Sequence, residues 1–215
     1  MVCQNQWGFL HPLALGDEVN FRLTYEGPLK AASQSENRRV EKHVIRQVFS
    51  HQLIALHRAK GGFFNAAFEN LKPEEDVPVV KRGEFYFFSV VREKLNLVCD
   101  LDILFLRRDN PGHLVGNGGD LDNRIKVLFD ALRMPQDDNE VRGLSMGTDN
   151  KGKPVDFLTC LTEDDKLITG FRVTTDRLLE PAKSEAEQNN VQLVINVEIK
   201  ATKLTDQNMA YFAHF

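Results

Sequence analysis

Residues 19–26 (VNFRLTYE) set Val19, Phe21, Leu23 and Tyr25 on one side and polar partners on the other, the two-residue period of a half-buried strand. Gly27-Pro28 ends it. The period then changes. Across residues 37–60 no Pro or Gly interrupts the chain, and Ile45, Val48, Phe49 and Leu56 share one side of a long helix, which Gly61-Gly62 closes. Pro73 and Pro78 make residues 72–81 a loop, after which the aromatic run at 85–88 and the stretch 95–106 predict two more strands.

Residues 109–119 (DNPGHLVGNGG) are turn chemistry throughout and deliver the chain to a second helix at 122–133. There Ile125, Leu128, Phe129 and Leu132 form the core-facing stripe, while Asp122, Lys126 and Asp130 step along an adjoining face, and Pro135 stops the helix. Residues 134–163 carry few periodic apolar positions and several Gly, Asp and Asn, so they read as a loop insertion rather than core. Strand-like alternation returns at 166–175 and 191–200, separated by the polar, helix-compatible stretch 181–190. The order β-α-β-β-α-β-β predicts an α/β (α+β) fold in a single domain over 1–215, a mixed β-sheet with two main helices packed on it.

A chain of 215 residues suffices for one sizeable core and is short for two independent ones. No apolar run approaches the roughly 18 to 20 residues that cross a bilayer, and the opening residues lack a basic n-region, so a cytoplasmic protein without membrane contact is expected. Cys3, Cys99 and Cys160 are odd in number and contain no CxxC pair, which suggests reduced thiols. The formal net charge of -4 argues against a uniformly basic nucleic-acid coat but leaves room for a local basic face.

Asp120 and Asp122, one residue apart where loop becomes helix, can aim short carboxylates at one point, as a hard divalent cation requires. A carboxylate at the same place also caps a helix and meets the positive end of its dipole, so the motif has a plain structural reading. Lys126 and Asp130, at successive turns beyond Asp122, are either part of the site or an ordinary ion-pair ladder on a solvated face. Asp164-Asp165 precedes a patterned strand that can bring a third carboxylate to the helix; such a pair is also common in turns. Asp137-Asp138 is a nearer pair in turn-like sequence after Pro135, and the later pair is preferred because it adjoins a strand. Asp100 and Asp102 share one face of a strand and read as surface or helix-covering carboxylates.

The run DLDNRIKVLFDAL at 120–132 resembles the signature of the RusA-type Holliday junction resolvases, and TEDDKLITGFRVTTD at 162–176 is similar to the Asp-Asp pair and strand that continue that signature. A looser likeness takes in the strand and Gly-Pro-Leu at 21–29, and the spacing between the two main blocks is longer than the family's usual connection. The resemblance implies a crossover junction endodeoxyribonuclease acting in DNA recombination and repair. Asp120, Asp122 and Asp165 would be its catalytic, metal-binding carboxylates, with Asp164 a possible substitute for Asp165, Lys126 the basic residue beside them, and Asn123 and Asp130 in support. It further implies magnesium, with manganese in its place, a homodimer, and four-way-junction DNA as substrate.

For holding DNA, Arg39, Lys42, His43, Arg46 and His57 fall on one side of the long helix, and Lys30, Arg38 and Arg107-Arg108 extend that surface, unless it is only a solvated basic face. The apolar C-terminal stretch 209–215 is expected to dock on its own core or on a second subunit. Two other readings stand beside the nuclease. One is a non-catalytic DNA- or protein-binding chain that keeps the resolvase-like fold, the other a metal-assisted phosphoryl enzyme acting on nucleotides or RNA.

Overall fold

The computed structural model describes residues 18–29, 35–60, 79–108, 121–145, 147–148, 154–184, 187, 190–206 and 208. The alternation at 19–26 becomes β1 (Glu18–Pro28), which pairs antiparallel with β9 (Asn190–Ala201), Phe21 opposite Val197. On its other side β9 pairs antiparallel with β4 (Leu97–Arg107), and β4 runs parallel to β8 (Ile168–Arg177). The sheet order is β1-β9-β4-β8. Parallel strands need a crossover, and the one between β4 and β8 carries the second helix, α2 (Leu121–Leu132).

Strand β4 alternates strictly between buried and half-buried positions, so Leu101, Ile103 and Phe105 enter the core while Asp100 and Asp102 stay on the far face. There Asp100 meets Lys200 at 3.0 Å and Asp102 meets Arg172 at 2.7 Å, which fits the surface reading of that pair. Tyr25 closes over the end of β1, its hydroxyl donating to the Pro28 carbonyl at 2.8 Å. A Cβ on Gly27 would stand 2.7 Å from that hydroxyl oxygen, which is why the next-to-last residue of β1 has none.

The long helix α1 (Ser35–Lys60) starts and ends close to the expected limits. Its Ile45, Phe49 and Leu53 are fully buried in the main core with Leu23, Ile103 and Ile195, each contributing roughly 1.5–3 kcal/mol by removal from water.

The expectation of a loop insertion at 134–163 is corrected. Its last part is β7 (Phe157–Thr162), all buried except half-buried Phe157, and it runs parallel to β3 (Phe85–Val91) in a second mixed sheet of order β2-β3-β7, with β2 at Val80–Arg82. Met134, Val141, Leu158 and Cys160 make a second apolar cluster with Phe85 and Phe87. Residues 135–145 keep the expected turn-and-loop character, and β5 (Gly147–Thr148) pairs with β6 (Pro154–Val155) in a short hairpin. In the stretch 181–190 the described residues include one 3-10 position, Glu187, whose N–H donates to the Ser184 carbonyl at 3.1 Å. The class predicted from the pattern holds: among the described residues two α-helices pack with two mixed sheets, and the β5–β6 hairpin forms a third, so the strands are not gathered in one sheet.

Candidate functional site

Helix α2 packs Ile125, Leu128 and Leu132 into the main core, which turns Asp122, Asn123 and Lys126 to solvent. Asp122 lies in the first turn, and its Oδ1 accepts the Asn123 backbone N–H at 2.7 Å, where N–H groups have no partner within the helix. That bond uses one oxygen of the carboxylate. Lys126, four residues on, forms no ion pair with a described residue, so the Asp122–Lys126 spacing is not an ordinary helix-surface pair.

Asp130, the next position on that face, has a different fate. Lys42 reaches its Oδ2 at 3.3 Å and Arg133 its Oδ1 at 3.1 Å, and Arg133 continues to Glu140 at 3.2 Å. The ladder therefore splits, open at its Asp122 end and locked at its Asp130 end.

The chain returns to α2 at the head of β8. Asp164 and Asp165 open a single tight helical turn, Asp165–Leu167, and Asp164 caps it by accepting the Lys166 N–H at 3.0 Å. That bond is the main cause holding the Asp164 carboxyl below its usual range. The two acids diverge. Asp164 lines a small recess of about 150 Å³ with Arg82, Glu93, Gln136 and Lys166, which includes no residue of α2 itself. Asp165 lines a cavity of about 450 Å³ shared with Asp122 and Lys126. Of the two candidates for a third carboxylate, Asp165 is thus the one facing the helix start. The rest of that cavity is apolar, with Leu121, Ile125 and Phe129 from α2 and Phe171 and Val173 from β8.

Asp137 and Asp138, the nearer acidic pair, serve the fold. Asp137 caps a short turn, accepting from the Asn139 and Glu140 N–H groups, and Asp138 accepts from the Gly83 N–H at 3.1 Å. Asp120 and Lys30 lie outside the described residues.

The basic side of α1 is corrected most. His43, Arg46 and His57 are buried, turned against the second sheet rather than toward a solvent-borne duplex. The Arg46 guanidinium donates to the Asp130 carbonyl at 2.8 Å and the Arg133 carbonyl at 3.3 Å and sits over the Phe87 ring. His43 packs edge-on to Phe85 at 4.9 Å, and Ser50 Oγ accepts the Thr159 N–H at 2.8 Å. Burial lowers both His43 and His57 to about 4, with the Arg46 charge adding to the effect at His43. Arg39 donates to the Asn139 carbonyl at 3.1 Å and Lys42 is held by Asp130. Arg107 is buried, and Arg108 donates to the carbonyls of Glu180, Glu187 and Asn190. This side of α1 joins the helix to the C-terminal end of α2 through Lys42 and Arg46, and to the second sheet through His43, Arg46 and Ser50, so that buried carbonyls and an N–H find partners.

What sequence reasoning missed is the apolar wall beside the acids. Phe171 is the one aromatic in β8, and it shares the cavity wall with Val173 of the same strand; that lone ring was the available signal. Among the described residues no group of three or more His, Cys, Asp or Glu side chains is arranged to hold a metal ion; the two carboxylates at the cavity form a pair. No described helix is long and apolar enough to cross a membrane. Compared with protein-family models, curated proteins and solved structures, the chain shows no match.

Proposed function

We propose that the chain is a divalent-metal-dependent endodeoxyribonuclease of the RusA type, cutting branched DNA as a homodimer with one site per subunit. The observation that carries this reading is the meeting of Asp122, Lys126 and Asp165 around one cavity, from segments distant in the chain. Those three fall at matching positions in both blocks of the resolvase-like signature.

The donor chemistry at the cavity fits a hard cation: carboxylate oxygens, no thiol or imidazole, and an exposed mouth. Asp122 and Asp165 would hold magnesium or manganese together with Asp120, the acid two residues before Asp122. The bound ion would supply a positive centre that acidifies water and neutralises phosphate charge. Lys126, without an ion-pair partner among the described residues, lies one helical turn from Asp122 and would offset charge growing on a phosphate in attack. Twofold symmetry of a dimer would match that of a four-way junction.

The test is cleavage of a synthetic four-way junction in magnesium by the full chain. Wild type cuts it, and Asp122→Asn, which keeps side-chain volume, lowers the rate by about 10³, roughly 4 kcal/mol in the barrier. Wild-type cleavage that fails across magnesium and manganese concentrations, or undiminished cleavage by Asp122→Asn, overturns the proposal. Junction binding that survives such a failure would leave a non-catalytic binding protein.

A further inference from the structure

Hydrolysing a phosphodiester asks for carboxylates and a cation, all polar, yet five of the eight residues lining the cavity are apolar. Phe171 is the most informative. It lies on an edge strand, is 57% exposed, and is the one aromatic among the large apolar side chains found exposed in the described residues. Phe129 on α2 meets it edge to face, centroids 5.1 Å apart and ring planes at 87°. Two rings are thereby fixed at the wall of an open cavity of about 450 Å³, within the size range of small-ligand sites.

Helix α2 orders its groups along one face: Asp122, then Lys126, then Phe129, spanning about 10 Å of helix axis. Carboxylate and ammonium come first and an aromatic wall follows. A nucleotide has the same polarity, an anionic phosphate at one end and a flat, largely apolar base at the other. In a stacked duplex the base faces are covered by neighbours, and only phosphate, sugar and groove edges are offered to a protein. An unstacked base offers a face, and aromatic side chains bind such faces with little regard to sequence.

We infer that the Phe129–Phe171 wall is a subsite for one unstacked DNA base, belonging to a strand whose phosphate is held at Lys126 and the two carboxylates. This rests on the nuclease reading for the placement of the phosphate. It extends that reading by naming what the cavity selects: strands in which pairing and stacking are already broken, as at a crossover.

The experiment measures equilibrium binding without cleavage, by anisotropy of labelled DNA with the full chain in calcium. Three probes are compared: a four-way junction, the same junction with abasic nucleotides at the crossover, and a linear duplex. Wild type should bind the intact junction about tenfold more tightly than the abasic one, and Phe171→Ala should close that gap while leaving duplex affinity unchanged. Phe171→Trp should keep the gap. Equal wild-type affinity for intact and abasic junctions overturns the inference, as does a gap that survives Phe171→Ala. A change of oligomeric state in Phe171→Ala, read by light scattering, also overturns it, since the wall would then be a contact between copies. A gap without cleavage in magnesium sinks the nuclease reading alone, cleavage without a gap sinks this one alone, and no binding to any DNA sinks both.

Discussion

Helices α1 and α2 each carry a charged side at regular helical spacing, and they use it in opposite ways. On α2 the Asp122 and Lys126 side chains stay in solvent beside a cavity. On α1 the equivalent side is an internal joint, with Arg46 reaching two backbone carbonyls and His43 set against Phe85. The difference lies in the neighbours. Helix α2 leaves Asp122 and Lys126 uncovered at its start, whereas α1 packs against β7 of one sheet, β1 of the other and α2. A charge on a helix is therefore evidence of function only where the second side of the helix is known to be free.

Substitutions can sharpen that contrast. The largest effect is expected at the cavity, where Asp165→Asn should lower junction cleavage by about 10³, near 4 kcal/mol, with an unchanged denaturation midpoint. Asp164→Ala should do the reverse, retaining cleavage and losing about 1 kcal/mol of stability with its cap on the Lys166 N–H. Equal loss of cleavage in both variants would erase the distinction between their two sides.

Next is Arg46→Ala, expected to cost about 3 kcal/mol in urea denaturation because two buried carbonyls lose their donor and a cavity is left. If Arg46 were instead a DNA contact, the substitution would weaken binding and leave stability unchanged.

The buried histidines should make the joint acid-sensitive. His43 and His57 bind a proton near pH 6.5 when unfolded and near pH 4 when folded, so the unfolded chain takes up protons first as pH falls between those values. Stability from this source is complete above pH 6.5 and declines toward pH 4, on the order of 2 kcal/mol for each histidine. His43→Gln should flatten the dependence measured by denaturation at a series of pH values; an unaltered slope would show that His43 is not the group responsible.

The smallest effect is expected at Gln52, whose amide both accepts the Thr24 N–H at 2.9 Å and donates to the Thr24 carbonyl at 2.7 Å. Those bonds cover backbone on the outer edge of β1 that would otherwise be open to another strand. Gln52→Ala should cost about 1 kcal/mol by the same denaturation measurement.

Much of this was readable from residue order. The alternation of β1 and β9 and the stripe of α2 each state which side is covered, since one side of each faces water. Strand β7 was not readable. Its sequence, FLTCLT, is buried on both sides, so it has no alternation to detect, and the Gly- and Asn-rich residues before it look like more loop. The inward turn of His43, Arg46 and His57 was hidden for the related reason that the sheet burying them includes β7. At the cavity, Asp122, Lys126 and Asp165 were legible from the signature. What separates Asp164 from Asp165 is a single local turn, and composition carries no trace of it.

The position of α1 between the sheets has a consequence for how the molecule comes apart. Phe88 of β3 and Leu161 of β7 lie in the same apolar core as α1 and the strands of the other sheet, so removing either sheet opens that core and the two sheets and α1 should open as one cooperative unit. Amide deuterium exchange in β7 and β9 would then proceed at matched free energies of opening, even though no backbone ladder joins the two strands.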